Sequence, residues 1–135
     1  MGNKLSDKHI NWLNFGTFRG NCLFVCGFTY DETIKVLKRK KSYEWLAAFE
    51  TTADMWESDN WGFASRREVM GKDYFFLIIK SRFDFKDKSV IYLAHEVVHL
   101  ASFHLRDILD PMQENECFAY THTHLMEQVY KILRN

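Results

Sequence analysis

The chain of 135 residues is 47% hydrophobic and has a formal net charge of zero, which excludes a disordered chain and argues against nucleic acid as its main partner. The length fits one domain with a buried core, so we expect a single domain over 1–135. No apolar run approaches the roughly 18 residues of a membrane span and no secretory signal is recognisable, so we expect a cytoplasmic protein without a membrane partner.

The first half of the chain predicts one strand followed by two helices. The stretch 21–28 is short and apolar and has a glycine next to its last residue, which is typical of a strand. Thr29 and Glu32 have the spacing of a capping box, which predicts a helix over 30–41. Apolar residues at helical spacing then predict a second helix over 43–56.

A β-hairpin is predicted in the middle of the chain. Two strands lie within 61–80, on either side of the turn sequence MGKD. The second strand, 74–80, is nearly all apolar, so we expect it to be buried on both faces.

The last third of the chain predicts two helices. Asp87 or Ser89 is placed to cap a helix over 88–106, and Asp110 fits the cap of a final helix over 111–133. The order of elements predicts an α+β fold with an N-terminal strand–helix unit, a small antiparallel sheet and two antiparallel C-terminal helices.

Three cysteines, Cys22, Cys26 and Cys117, occur without the paired spacing of a structural zinc site. In a strand, Cys22 and Cys26 would point to one face. We therefore expect buried, reduced thiols.

The sequence HEVVH places His95 and His99 four residues apart, with Glu96 directly after the first histidine. On a helix this spacing aims two imidazoles at one point, and zinc accepts imidazole nitrogen readily. Glu96 lies about 100° round the helix from His95, where its carboxylate can accept a proton from a metal-bound water. The alternative is that both histidines are core residues satisfied by hydrogen bonds.

Helix geometry points to Glu116 as the third ligand. The chain rises roughly 10 Å from His99 to the end of its helix, reverses near 107–110, and returns roughly 9 Å by Glu116. A carboxylate at the level of His99 on an antiparallel neighbour would complete a zinc site with an open position for water.

Tyr120 lies one turn beyond Glu116, and its phenol would donate a hydrogen bond to a developing oxyanion. The alternative for Tyr120 is ordinary helix packing with the hydroxyl at the rim. The other histidines of the two helices, His104, His122 and His124, point away from the predicted site, and His124 is the nearest to being aimed at it.

The pattern of HEVVH, followed after 17 residues by Glu116 in ENECFAY, resembles the zincin metallopeptidases of the gluzincin type. The resemblance implies Zn²⁺ bound by His95, His99 and Glu116, with Glu96 as general base. A closer resemblance, through LAHEVVHLASF and NECFAYTHTHLMEQVY, is to small uncharacterised HExxH proteins encoded by bacteriophages. It implies a protein of the host cytoplasm.

Together these features predict a small zinc-dependent hydrolase, a peptidase in which metal-activated water attacks a scissile carbonyl. The substrate would be a peptide or protein, paired in extended form with the strand at 74–80 or its partner at 61–68.

Two other functions fit the sequence. In one, the chain is a non-catalytic, phage-encoded binding or inhibitor protein on a metal-stapled scaffold, and the aromatic stretch 43–62 contacts a host protein, although aromatics are commonly core residues. In the other, the basic stretch 35–41 binds nucleic acid, although a solvated helix end explains these cations more simply.

Overall fold

The computed structural model describes residues 5–16, 18–106 and 115–135. These residues form four strands and five helices. The elements are β1 (His9–Phe15), β2 (Phe18–Cys26), α1 (Tyr30–Arg39), α2 (Tyr43–Glu50), α3 (Ala53–Glu57), β3 (Gly62–Val69), β4 (Lys72–Ile79), α4 (Asp87–Leu105) and α5 (Asn115–Leu133).

The four strands form one mixed sheet in the order β1-β2-β4-β3. The outer pairs, β1 with β2 and β3 with β4, are antiparallel hairpins, whereas β2 and β4 are parallel. The prediction of an antiparallel sheet is therefore wrong for the central pair. The chain crosses from β2 to β3 through three helices, and a long crossover is what allows parallel strands in a sheet.

Helices cover both faces of the sheet, and β4 shows the alternation most clearly. Its residues Phe75, Leu77 and Ile79 belong to a core cluster shared with α4 and α5. Its residues Phe76 and Ile78 belong to a second cluster shared with α1 and α2. The expectation that this strand is buried on both faces is confirmed, and the molecule is a helix–sheet–helix sandwich with a mixed α/β fold.

Of the two helices predicted in the first half of the chain, one is present as a single helix and the other is divided in two. The capping box of Thr29 and Glu32 is present at the start of α1. The helix predicted over 43–56 is instead divided into α2 and α3. At the break, the Thr51 and Thr52 hydroxyls donate to the carbonyls of Ala48 and Phe49, and such local side-chain bonds compete with helix continuation.

The helix α4 begins at Asp87, but no side chain caps it. Lys86 is the residue at the cap position, so neither Asp87 nor Ser89 has the capping role predicted for it. Asp87 stands in the first turn, where a negative charge suits the helix dipole. The cap predicted at Asp110 lies outside the described residues. No helix in the described ranges is long and apolar enough to cross a membrane.

The prediction of buried thiols is confirmed for Cys22 and Cys26 and is wrong for Cys117. Cys22 and Cys26 are free, fully buried thiols in the core cluster on the α4 and α5 face of the sheet. Burial raises the pKa of both thiols, which keeps them protonated. Cys117 is also a free thiol and is partly exposed.

His104 is a structural histidine near the end of α4. Its ring stacks on Phe15, with centroids 3.7 Å apart and an interplanar angle of 6°, and its Nε2 donates to the carbonyl of Arg19. Burial lowers the pKa of His104, and the nearby Arg66 guanidinium acts in the same direction, although the Arg19 hydrogen bond opposes both. The imidazole is therefore held neutral in the fold.

We expect His104 to make the protein less stable in mild acid. Because its pKa is lower in the folded state, the unfolded state binds more protons, and the free energy of unfolding falls as the pH drops below about 6.5. His104→Phe keeps a stacked ring but removes this titration. The free energy of unfolding of the variant should therefore fall less between pH 7.5 and pH 5 than that of the wild type. Urea unfolding over this range measures the difference.

The variant should also lose about 1 kcal/mol at pH 7.5, since the Arg19 carbonyl loses its donor. His124→Gln serves as a control, because His124 lies at the surface, bonded to the Asn14 side chain. Equal pH dependence in wild type and His104→Phe would rule out His104 as the titrating group.

Candidate metal centre

The packing of α4 on the sheet turns His95 and His99 towards solvent. Leu93, Val97 and Leu100 on the same helix are fully buried, whereas both histidines are exposed. The alternative in which core neighbours satisfy the two imidazoles therefore does not describe this helix. Because the buried residues of α4 face the sheet, the two histidines lie on the side of the helix that faces away from it.

The two imidazoles converge. Their Nε2 atoms lie 3.1 Å apart, and the rings meet edge to face. Two nitrogens bound to one tetrahedral zinc ion, each about 2.05 Å from it, would lie roughly 3.3 Å apart. The pair thus presents two nitrogen donors at close to the spacing that a divalent cation requires. The two Nε2 atoms are also within hydrogen-bonding distance of each other, so a protonated ring nitrogen on one imidazole can donate to the other.

Glu96 lies beside this pair, between α4 and β3. Burial raises the pKa of its carboxyl, while the charges of His95 and His99 and a hydrogen bond from the Ala64 backbone act in the opposite direction. The half-buried carboxyl borders an open cleft of about 320 Å³. The cleft is lined by Asn60, Trp61, Gly62, Tyr92, His95 and Glu96.

The other wall of the cleft is β3, the strand at the edge of the described sheet. The Lys80 amide donates to the Trp61 carbonyl, so Trp61 faces β4 and the backbone groups of Gly62 and Ala64 point outwards. A side chain on Gly62 would collide with the carbonyl oxygen of Ile78. Glycine therefore lets the two strands approach closely at the mouth of the cleft.

Glu116 lies in the first turn of α5 and is exposed. Across the helix pair, Nε2 of His122 lies 3.4 Å from the Ala94 carbonyl, so Glu116, six residues earlier, comes roughly level with Leu100. The level of Glu116 along the helix pair is close to that of His99, as a ligand role would require. Even so, no group of three His, Cys, Asp or Glu side chains in the described ranges is arranged to hold a metal ion. Glu116 is thus not brought to the pair.

The rotation of α5 about its axis explains this separation. Tyr120, one turn beyond Glu116, lies against the turn at Gly16, where a Cβ would be 2.9 Å from its Cε1 atom. Its ring stacks on His124, with centroids 6.0 Å apart. The face of α5 that meets α4 carries His122 instead. The structure therefore joins His95, His99 and Glu96 and leaves Glu116 and Tyr120 on another side of α5.

Four residues of the cleft are not among the predicted site residues. The sequence singles out Trp61 only as part of an aromatic interface, and it does not single out Asn60, Gly62 or Tyr92. The position of Tyr92 is predictable from the sequence, because it lies four residues before Glu96 and therefore on the same side of the helix. The position of Trp61 and Gly62 depends on how β3 packs beside α4, which the sequence pattern does not specify.

Comparison of the chain with protein-family models, with curated proteins and with solved structures finds no match. The resemblance to zincins and to phage-encoded HExxH proteins therefore rests on the motifs alone.

We expect the histidine pair to bind one zinc ion per chain. After incubation with zinc and gel filtration, elemental analysis should give a stoichiometry of about one for the wild type. His95→Ala or His99→Ala should lose the metal, since one nitrogen donor cannot chelate. His124→Ala should retain the zinc, because it removes a histidine of α5 that is bonded to Asn14 in β1 and lies outside the pair. Retention of zinc by both variants of the pair would show that the ion binds elsewhere.

Proposed function

We propose that the chain is a small zinc-dependent hydrolase that cleaves peptides, with His95 and His99 as metal ligands and Glu96 as general base. The observation that carries the proposal is the 3.1 Å convergence of the two Nε2 atoms on an exposed helix face. Glu96 borders the same cleft, as a base that takes a proton from the attacking water must.

A bound zinc ion would supply Lewis acidity, which activates water and polarises the scissile carbonyl. The chain's own part is the proton transfer. Glu96 accepts a proton from the attacking water and passes it to the leaving amine. The imidazoles of His95 and His99 would hold the ion at the outer side of α4, next to that carboxylate.

The substrate in this proposal is an extended peptide that pairs with β3. The sequence left open whether 74–80 or 61–68 would be the pairing strand. β4 lies inside the described sheet between β2 and β3, whereas β3 lies at its edge beside the cleft. The outward backbone groups of Gly62 are placed for such pairing.

We retain Glu116 as the proposed third ligand. The level of Glu116 along the helix pair and its exposed carboxylate support this role. The first turn of α5 would have to rotate by roughly 120° to bring Glu116 to the metal, since Glu116 lies six residues before His122, which faces α4. Tyr120 as the oxyanion donor requires a rotation of its own, because it lies on the side of α5 roughly opposite His122. Its 48% exposure leaves the phenol accessible, but its contacts are with the turn at Gly16.

A second candidate, a non-catalytic binding protein, is favoured by one observation. Ile91 and Val98, on the outer side of α4 near the histidines, are 64% and 41% exposed. An apolar surface around a metal-stapled helix suits a protein partner such as a host factor. The tryptophans Trp45, Trp56 and Trp61 are half-buried and pack against the two core clusters, which favours the core role that the sequence offers as the alternative to an interface.

Glu96→Gln should bind zinc as the wild type does and lose hydrolysis. The amide keeps the shape of the side chain but cannot accept a proton, and loss of a general base lowers the rate by roughly 10²–10⁴-fold. The measurement is mass-spectrometric detection of cleavage in a peptide library, with elemental analysis to confirm equal zinc content. Equal cleavage by the two proteins would exclude Glu96 as the base, and no cleavage by either would favour the binding protein.

Glu116→Gln should weaken zinc binding by at least tenfold. Removing a residue that only hydrogen-bonds to a metal ligand already costs about tenfold in affinity, and loss of a ligand itself should cost no less. Glu127→Gln, another exposed glutamate of α5, is the matched control and should bind zinc normally. Competition with a chromogenic chelator gives both affinities. Identical affinity in the two variants would mean that the third ligand is not Glu116.

A further inference from the structure

We propose that Trp61 and Tyr92 form a subsite for an aromatic side chain of the peptide substrate, next to the scissile bond. This inference rests on the proposed hydrolase function and assigns its substrate class. The cleft that carries His95 and Glu96 is the one that carries these two rings, so a side chain bound against them belongs to a residue close to the reacting carbonyl.

The two rings form a fixed pair. Their centroids lie 5.8 Å apart at an interplanar angle of 53°. Trp61 also meets the buried ring of Phe83 at 6.2 Å, which holds the indole in place from the core side. Tyr92 is 40% exposed, so part of its ring is open to solvent. The subsite thus has a rigid wall on the sheet and an accessible wall on α4.

The cleft has room for a ring. Its volume of about 320 Å³ is roughly twice that of a cavity of about 150 Å³ that holds benzene. The Gly62 backbone faces away from β4 and lines the cleft, so a peptide that pairs with β3 would pass this point. A peptide paired there places alternate side chains towards the two aromatic rings.

An aromatic occupant fits better than the alternatives. Ring–ring contacts in tilted or edge-to-face geometry add about 0.5–1.5 kcal/mol beyond area burial, which reaches roughly tenfold in affinity. An aliphatic side chain gains only the burial. A lysine ammonium would gain a cation–π contact, and in the wild type also the Glu96 carboxylate, so the Lys peptide is the competitor that both the binding and the cleavage measurements must include.

The test uses the zinc-loaded Glu96→Gln protein and blocked pentapeptides of alanine whose central residue is Phe, Leu, Lys or Ala. Calorimetry should show the Phe peptide binding roughly tenfold more tightly than the Ala peptide. Adding Tyr92→Ala should remove that preference. Adding Tyr43→Ala, which deletes a 62% exposed tyrosine on α2, should leave it intact. If Tyr92→Ala unfolds, Tyr92→Leu keeps an apolar side chain without the ring and should lose the preference too.

Equal binding of the Phe and Ala peptides, tighter binding of the Lys peptide, or no binding of any peptide would overturn the subsite. Cleavage by the wild-type protein is measured in parallel on the same peptides. Cleavage without a preference for Phe would reject the subsite and keep the hydrolase. A Phe preference in binding that depends on Tyr92, with no cleavage by wild type, would reject the hydrolase and keep the subsite.

Discussion

The burial of one side of α4 against the sheet is the constraint on which the candidate site depends. Leu93, Val97 and Leu100 are removed from water, and each such side chain contributes about 1.5–3 kcal/mol to the stability of the fold. Rotating the helix to bury His95 and His99 would exchange this gain for the cost of two desolvated imidazoles. The core therefore fixes the outward direction of the histidine pair, and the 3.6-residue repeat then makes the two rings meet.

The same packing creates the cleft. The strand β4 lies inside the sheet because apolar residues occupy both of its faces, so its hairpin partner β3 is left at the edge beside α4. An edge strand normally needs protection from unwanted pairing. Here Glu96 bonds the outward backbone at Ala64, and the backbone at Gly62 borders the cleft. The edge is thus covered by Glu96 at Ala64 and borders the cleft at Gly62, beside the histidine pair.

The parts of the fold that local chemistry determines were predictable from the sequence. The capping box of α1, the hairpin of β3 and β4, and the outward pair on α4 each follow from spacing within about ten residues. The parallel pairing of β2 with β4 was not predictable, since it depends on the path of a long crossover. The strand β1 is not predicted from the sequence, because HINWLNF mixes polar and apolar residues, although this segment forms an edge of the sheet.

The strand β1, which the sequence does not predict, also explains why Glu116 and Tyr120 are not beside the histidines. Helix geometry gives the height of a residue on α5 but not the rotation of α5 about its axis. That rotation is held by β1, since the Gln128 side chain bonds both backbone groups of Asn14, at 3.1 and 2.8 Å, and His124 bonds its side chain at 2.7 Å. These bonds turn the line of residues that includes Tyr120 towards the β1–β2 turn. Glu116 lies two turns before His124, so its own turn can rotate towards the metal only if it does so independently of the part of α5 that Asn14 holds.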